Sequence, residues 1–282
     1  MIQDRNQIGI GEVERQIDKR FTSLRFEPAV EAQFERDIGL DRCRYMIRQN
    51  YIAIVIYHLF LISDYASIAD VFQLDLCVHF AIMTPVALAT NFVLARNPRP
   101  WLREGLEAVS VIVLAGSIVW VVSASRAPDR DLVLLCIILV VLFSTVMQRM
   151  RFWYVLPTSV VILALYGLGL TGFEGMSTER LGMSVSVVLG IILFSLVGAY
   201  HLEHEQRMGY LLRLRDRLRN QELEMRSLRD PLTGIGNRRA LDLALLEATR
   251  PNQADAAQSE AILLLDIDHF KRFNDTNGHQ EG

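Results

Sequence analysis

The hydrophobic positions of this 282-residue chain are concentrated in its middle. Residues 1–48 and 201–282 are rich in charge, whereas residues 51–200 contain nearly all of the long apolar runs. A helix needs about 20 predominantly apolar residues to cross the hydrocarbon core of a bilayer. Six runs come close to or meet this length: 51–68, 76–95, 106–125, 132–148, 152–170 and 181–200. The pattern predicts a bundle of six transmembrane helices.

The charges in the connecting loops predict how this bundle is oriented. Short cytoplasmic loops carry an excess of Lys and Arg. Eight arginines lie in the loops and flanks on one side, against three on the other. The eight are Arg42, Arg44, Arg48, Arg96, Arg99, Arg103, Arg149 and Arg151, and the three are Arg126, Arg130 and Arg180. We therefore expect a multi-pass membrane protein with both termini in the cytoplasm. A soluble all-helical core is the alternative, and the alternation of loop charge argues against it.

Composition narrows the class of function further. The chain is 51% hydrophobic and carries a net charge of −3, and its basic residues do not gather on one face. Nucleic acid is therefore not an expected partner. The three cysteines, Cys43, Cys77 and Cys136, are far apart and predict neither a disulfide framework nor a metal site.

Two histidines lie inside the predicted spans, His58 near the middle of the first and His79 early in the second. An ionisable group at such a depth is a candidate functional residue. The pair could bind a metal, a haem or a proton. Each could instead donate a hydrogen bond to a neighbouring helix, which is the interpretation that the sequence favours. No HxxxH spacing supports a metal site, and the signal that this unit receives is not indicated.

Residues 201–229 form a charged, proline-free connector with apolar positions spaced by three and four residues. This is the spacing of a heptad seam. The seam consists of Leu211, Leu214, Leu218, Gln221, Met225 and Leu228. It predicts a coiled-coil signalling helix that makes a homodimer, and a helix packed against its own domain is the alternative. In residues 1–48, scattered apolar side chains predict either an amphipathic segment on the inner leaflet or a solvated helix; they are Phe21, Leu24, Phe26, Val30 and Phe34.

The last part of the chain predicts the start of an α/β domain. The sequence of residues 230–234, DPLTG, is turn chemistry. A helix over 239–248, a polar loop over 250–260 and a strand over 261–267 are expected to follow. Asp266 and Asp268 end that strand, where carboxylates can bind hard cations such as Mg²⁺. Lys271 follows as a possible phosphate contact. Many buried strands end in a capping Asp, so this pattern alone is weak evidence.

Two segments together resemble the opening of the GGDEF domain of diguanylate cyclases. The first matches a D-x-L-T-G-L-x-N-R pattern through Asp230, Leu232, Thr233, Gly234, Asn237 and Arg238, with Ile235 in place of Leu. The second matches a D-[IV]-D-x-F-K-x-[IV]-N-D pattern followed by G-H. Its residues are Asp266, Ile267, Asp268, Phe270, Lys271, Asn274, Asp275, Gly278 and His279, with Phe273 at the aliphatic position.

The resemblance implies a palm-like α/β fold and a role for each matched residue. Asp266 and the backbone carbonyl of Ile267 would bind Mg²⁺ (or Mn²⁺). Backbone N–H groups around His269 and Phe270, with Lys271 as the catalytic cation, would hold the β and γ phosphates of GTP. Asn274 would bind the guanine edge. Since each domain holds one GTP, two domains would have to face each other to make cyclic di-GMP.

The predicted organisation is mainly α. It comprises a cytoplasmic N-terminal segment (1–48), a six-span transmembrane sensory domain (49–200), the coiled-coil connector (201–229) and the start of a GGDEF domain (230–282). The resemblance covers 53 residues, roughly the first third of such a domain, and the Gly-Gly-Asp/Glu-Glu-Phe signature is not reached. We therefore expect the chain to be a fragment that is inactive by itself. The leading function is a membrane-anchored diguanylate cyclase. A non-catalytic membrane receptor or dimerisation partner with a GGDEF remnant is the alternative. Cyclic di-GMP and a mixed dinucleotide both remain open as products.

Overall fold

The computed structural model describes residues 8–19, 23–128, 130–173, 177–230, 233–248, 263, 265–266 and 268–278. The chain divides into two units, residues 1–221 and 222–282. The described residues are almost entirely helical. Their α-helices are α1 (Ile10–Asp18), α2 (Pro28–Ser67), α3 (Phe72–Cys77), α4 (Thr84–Leu94), α5 (Pro100–Ala124), α6 (Arg130–Leu134), α7 (Ile137–Leu142), α8 (Phe152–Thr171), α9 (Thr178–Ser227), α10 (Arg238–Ala248) and α11 (Phe270–Asn277).

Among the described residues, six helical segments are long and apolar enough to cross a membrane, as the six apolar runs predict. The first and last extend far beyond the apolar runs, because α2 has 40 residues and α9 has 50. At 1.5 Å per residue, α9 is about 75 Å long. The predicted connector is therefore the continuation of the sixth span. Helical structure continues without a break from the apolar run into the charged seam.

The second and fourth spans are not regular α-helices. A 3₁₀ turn (Ala69–Val71) and α3 precede a π-helical turn (Val78–Met83) that leads into α4. The fourth span consists of α6, α7 and a second π-helical turn (Phe143–Met147). Such turns are rare, and they often occur at functional sites because they change the direction of side chains.

The main hydrophobic core lies between α5, α7, α8 and α9 and includes Val111, Ile137, Ile162, Tyr166 and Ile192. A Cβ at Gly169 of α8 would lie 3.1 Å from Leu134 Cδ1, so Leu134 would have to shift to admit a larger residue. Small residues allow membrane helices to approach one another closely. The spans are therefore held by close packing as well as by their apolar surfaces.

A buried network of ion pairs joins α2 and α5 to the start of α8. Glu104 is fully buried and accepts hydrogen bonds from Arg42 Nε (2.6 Å) and Nη2 (2.7 Å). Arg103 Nη2 donates to Glu35 at 3.1 Å, and Arg151 also pairs with Glu35. Three of the arginines that predict the cytoplasmic side thus neutralise buried carboxylates within the fold. Charged groups of this kind are stable in an interior only when they are paired.

Apolar side chains of the N-terminal segment pack against α9, an arrangement that neither interpretation of residues 1–48 anticipated. Val13, Phe26, Val30 and Phe34 form one buried cluster with Tyr210, Leu211 and Leu214 of α9. These side chains face neither a lipid leaflet nor solvent, because α9 offers them an apolar stripe. Leu24 is also buried, and Phe21 lies outside the described residues. We call α1 together with residues 23–35 the N-terminal clamp.

The clamp changes the interpretation of the heptad seam. Leu211 and Leu214 are buried against it, and Leu218 packs at its edge. Further along α9, Gln221 and Met225 are exposed. The first half of the seam therefore packs against its own chain, which was the alternative to a coiled coil. Homodimer formation stays a prediction, and the exposed second half is the part of the seam that it can use.

Candidate functional site

The first GGDEF-like segment forms a compact loop after α9. Asp230 Oδ1 accepts hydrogen bonds from the Thr233 backbone N–H (2.8 Å) and hydroxyl (2.7 Å). The Gly234 N–H donates to the Asp230 carbonyl at 2.9 Å, and Gly234 has a φ of +72°, which glycine adopts without strain. An isolated antiparallel bridge between Arg229 and Gly236 closes the loop. The predicted turn is confirmed, and its Asp, Thr and Gly have structural roles.

Asn237 then starts the next helix. Its Oδ1 accepts a hydrogen bond from the Ala240 N–H (3.1 Å), which caps the N-terminus of α10. Its Nδ2 donates to the Ser227 carbonyl at 2.8 Å and so ties the loop back to the end of α9. The predicted helix over 239–248 is confirmed, with its start one residue earlier. Asn suits this position because it supplies a donor and an acceptor at once.

The second segment leads into a short helix that the sequence interpretation treats only as a turn. His269 has a left-handed backbone (φ +62°) and directly precedes α11. No described side chain caps this helix N-terminus. The first N–H groups of a helix lack partners within the helix, and the dipole there favours anions. The N–H groups of Phe270 and Lys271 are among them.

The predicted ligands occupy different positions around this helix. Asp266 lies before it and is exposed, as are His269, Phe270 and Lys271. Asn274 lies one turn further along, on the same face of α11 as Lys271. Asn274 is half-buried, and its Oδ1 accepts no hydrogen bond from the described residues. Ile267, the predicted carbonyl ligand, lies outside the described residues, as does most of the predicted strand 261–267.

The residue types in this segment suit the binding of an anion and of a divalent cation. Two backbone donors and the Lys271 ammonium can surround a phosphate. Asp266 supplies a hard oxygen ligand of the kind that Mg²⁺ prefers. Asn274 retains an acceptor for a base edge. The C-terminal unit thus combines a tight loop that leads into α10 with a short helix whose first N–H groups lie beside Lys271.

Comparison with known proteins finds a family model that matches the C-terminal end of the chain. Residues 227–282 match the family model described as "Diguanylate cyclase, GGDEF domain". The C-terminal end of the chain therefore carries GGDEF-domain sequence, attached to a membrane-type helical unit. The resemblance noted from the two motifs is confirmed.

Individual relatives agree with this assignment. Diguanylate cyclase DgcN of Escherichia coli (strain K12) is 44% identical over 69 residues, which are 24% of this chain and 16% of that protein. Diguanylate cyclase DgcP of Pseudomonas aeruginosa is 37% identical over 93 residues, 28% of this chain and 14% of that protein. An uncharacterized membrane protein of Staphylococcus aureus (strain USA300) is 47% identical over 53 residues, 19% of this chain and 15% of that protein. The chain thus spans only a small part of the length of these relatives.

The sequence interpretation missed a second group of polar residues, in the membrane unit. His58 is satisfied, since its Nδ1 lies 2.7 Å from the Ile54 carbonyl and its Nε2 lies 3.2 Å from the Thr84 hydroxyl. His79 instead lies beside Asp64 and Asp75. The D-x-x-x-H spacing of Asp75 and His79 could have shown this, since it places both side chains on one helix face. The sequence interpretation gives neither aspartate a role.

Proposed function

We propose that the whole protein is a membrane-anchored diguanylate cyclase, which joins two GTP molecules into cyclic di-GMP under the control of its six-span unit. The observation that carries the proposal is the order and local structure of the two GGDEF segments. The first segment forms a loop after α9 and caps α10 through Asn237. The second segment leads into α11, whose N-terminus, beside Lys271, no described side chain caps. Two cyclases among the relatives share this part of the sequence.

The roles of the site residues follow from their chemistry. The N–H groups of Phe270 and Lys271, the turn at His269 and the Lys271 ammonium would hold the phosphates of GTP. Asn274 would bind the guanine edge through its half-buried amide. Asp266, with the carbonyl of Ile267, would hold Mg²⁺ or Mn²⁺, which neutralises the charge of a triphosphate. Positioning and charge neutralisation account for most of phosphoryl-transfer catalysis.

Control from the membrane would pass along α9. This helix continues from the sixth span to Ser227, directly before the GGDEF loop. A rotation or shift of its membrane part would be transmitted along this helix. We propose a homodimer through the exposed part of the seam, because joining two GTP molecules needs two sites. The orientation with both termini in the bacterial cytoplasm, where GTP is present, belongs to the same proposal.

The experiment begins with sequencing the gene beyond codon 282. If the frame continues through a Gly-Gly-Asp/Glu-Glu-Phe signature, the purified protein in lipid nanodiscs is incubated with GTP and Mg²⁺. We expect cyclic di-GMP, detected by mass spectrometry. Asp266→Ala should abolish it, and Asn274→Ala should raise the KM for GTP. Asp242→Ala is the matched control, because Asp242 is exposed on α10.

Two results would count against the proposal. A stop codon directly after Gly282 would favour the non-catalytic receptor. Full activity of Asp266→Ala would show that the metal site has been placed wrongly.

A further inference from the structure

Three ionisable side chains converge inside the membrane unit. Asp64 lies near the end of α2, Asp75 in α3 and His79 in the first π-helical turn. One ligand atom from each lies within 4.8 Å of the other two. The three residues are only 6%, 4% and 1% exposed. They come from both sides of the connection between the first two spans.

The cluster has unused hydrogen-bonding capacity. Asp75 Oδ2 and His79 Nδ1 are buried, and neither atom has a hydrogen-bond partner in the part of the chain that the structure describes. No Lys or Arg among the described residues pairs with either aspartate, and His79 Nε2 lies 3.5 Å from Asp75 Oδ1. Nearby Asp70 differs, because it accepts hydrogen bonds from Ser125 Oγ (2.7 Å) and the Arg126 N–H (2.6 Å). Burial of polar groups without partners costs stability. The unpartnered atoms of Asp75 and His79 therefore indicate that the cluster binds a ligand.

His79 is held in place by its surroundings. The Tyr57 ring stacks on its imidazole with centroids 3.7 Å apart and planes 3° apart. The Thr84 hydroxyl donates to the His79 carbonyl at 2.8 Å, and the same carbonyl accepts the Thr84 backbone N–H. A ligand held in a fixed direction binds a metal better than a mobile one.

The cluster forms one wall of a cavity of about 430 Å³. The other walls are mainly apolar, with Phe60, Leu114 and Val140 among them, and Cys136 also lines the cavity. The space is large enough for a water molecule or a small ligand beside the three side chains. A fourth coordination position would therefore face this cavity.

We propose that Asp64, Asp75 and His79 bind a divalent transition-metal ion of the Zn²⁺ type. Three N and O ligands with one open position are a common protein zinc site. Ca²⁺ and Mg²⁺ fit less well, because they need six or more oxygen ligands. Ligands about 2.0–2.2 Å from zinc lie about 3.5 Å apart, so a small contraction of the cluster suffices. With the predicted orientation, the site is near the outer ends of the spans.

The test is metal binding by the full chain in nanodiscs after removal of metal with a chelator. Zn²⁺ is measured by equilibrium dialysis and elemental analysis, and Co²⁺ by the visible bands of tetrahedral cobalt. The Asp266→Ala background removes the proposed Mg²⁺ ligand. We expect one bound ion per chain, and at least about tenfold weaker binding for Asp75→Asn and for His79→Gln. Asp41→Asn and His201→Gln are the controls, because both residues are exposed and lie outside the cluster.

The variants should fold, because Asn and Gln remove charge or a ring without adding bulk. Circular dichroism checks that their helix content is unchanged. Absence of binding by the wild-type chain would overturn the proposal. So would equal binding by the cluster variants, or octahedral cobalt spectra only. None of these measurements uses GTP, so their outcome is independent of the proposed cyclase activity.

Discussion

Arg207 is the residue on which the N-terminal clamp should depend most. It lies on α9 with 2% of its surface exposed. Its guanidinium donates to both carboxylate oxygens of Glu31 (2.8 and 3.1 Å) and to Glu203 (2.9 Å). It also lies 4.9 Å from the ring centroids of Phe26 and Phe34. Arg207→Ala removes all of these contacts together.

The expected cost follows from what the substitution leaves behind. Breaking a buried ion pair costs about 3–5 kcal/mol. The lower end applies here because the Glu31 side chain is 26% exposed and can be hydrated. Glu203 also keeps its hydrogen bond from the Phe152 N–H at 2.7 Å. We therefore expect the clamp to open about 3 kcal/mol more easily, which is roughly a 100-fold change in the opening equilibrium.

Hydrogen exchange followed by mass spectrometry measures this equilibrium. Exchange of α1 and of residues 28–34 should accelerate roughly 100-fold in Arg207→Ala, by the cost derived above. Arg207→Lys should lie between the variant and the wild type, because it keeps the charge but loses the two-pronged contact. Arg219→Ala is the control. Its pair with Glu14 is exposed, so its effect should stay below about 1 kcal/mol. Unchanged exchange in Arg207→Ala would show that the clamp does not depend on this arginine.

Three further predictions concern other parts of the fold. Glu104→Gln leaves Arg42 buried without a counter-charge and leaves Arg103 with Glu35 alone, so thermal unfolding should begin at a clearly lower temperature than in the exposed control Glu205→Gln. Asn237→Ala removes the cap of α10, so exchange in Arg238–Ala248 should accelerate by the equivalent of about 1 kcal/mol, whereas Asn237→Asp keeps the acceptor and most of the protection. Met225→Cys should form disulfide-linked dimers on mild oxidation, whereas Leu211→Cys, buried under the clamp, should not; equal cross-linking of both would argue against the dimer surface.

The sequence predicts the elements that depend on local pattern. The six spans follow from run length, and the connector helix follows from three-and-four spacing. The loop at Asp230 and the cap at Asn237 lie within a few residues of their partners, so their chemistry can be seen in the motif itself. α11 was missed because its eight residues are too few for a periodic pattern to be distinguished from a turn.

Contacts between distant parts of the chain could not be predicted in this way. The apolar stripe at Leu211 and Leu214 indicates that something covers it, but a second copy and the chain's own N-terminus satisfy the stripe equally well. The choice depends on whether Phe26, Phe34 and Arg207 fit together. That fit is a property of three-dimensional packing, so periodicity alone carries no information about it.

The cluster of Asp64, Asp75 and His79 could not be predicted from the sequence pattern for the same reason. Loop charge is used to orient a bundle, and in that use Asp64 and Asp75 are only acids near the ends of two spans. The fold places them next to His79, which lies in the π-helical turn, across the short connection between these spans. A charged side chain that is solvated in a loop destabilises the fold when it is buried. Ionisable residues that destabilise a membrane unit in this way are retained mainly where they have a function. The polar groups that the fold buries without partners are therefore better guides to what this membrane unit binds than the polar groups that the sequence places in the middle of a span.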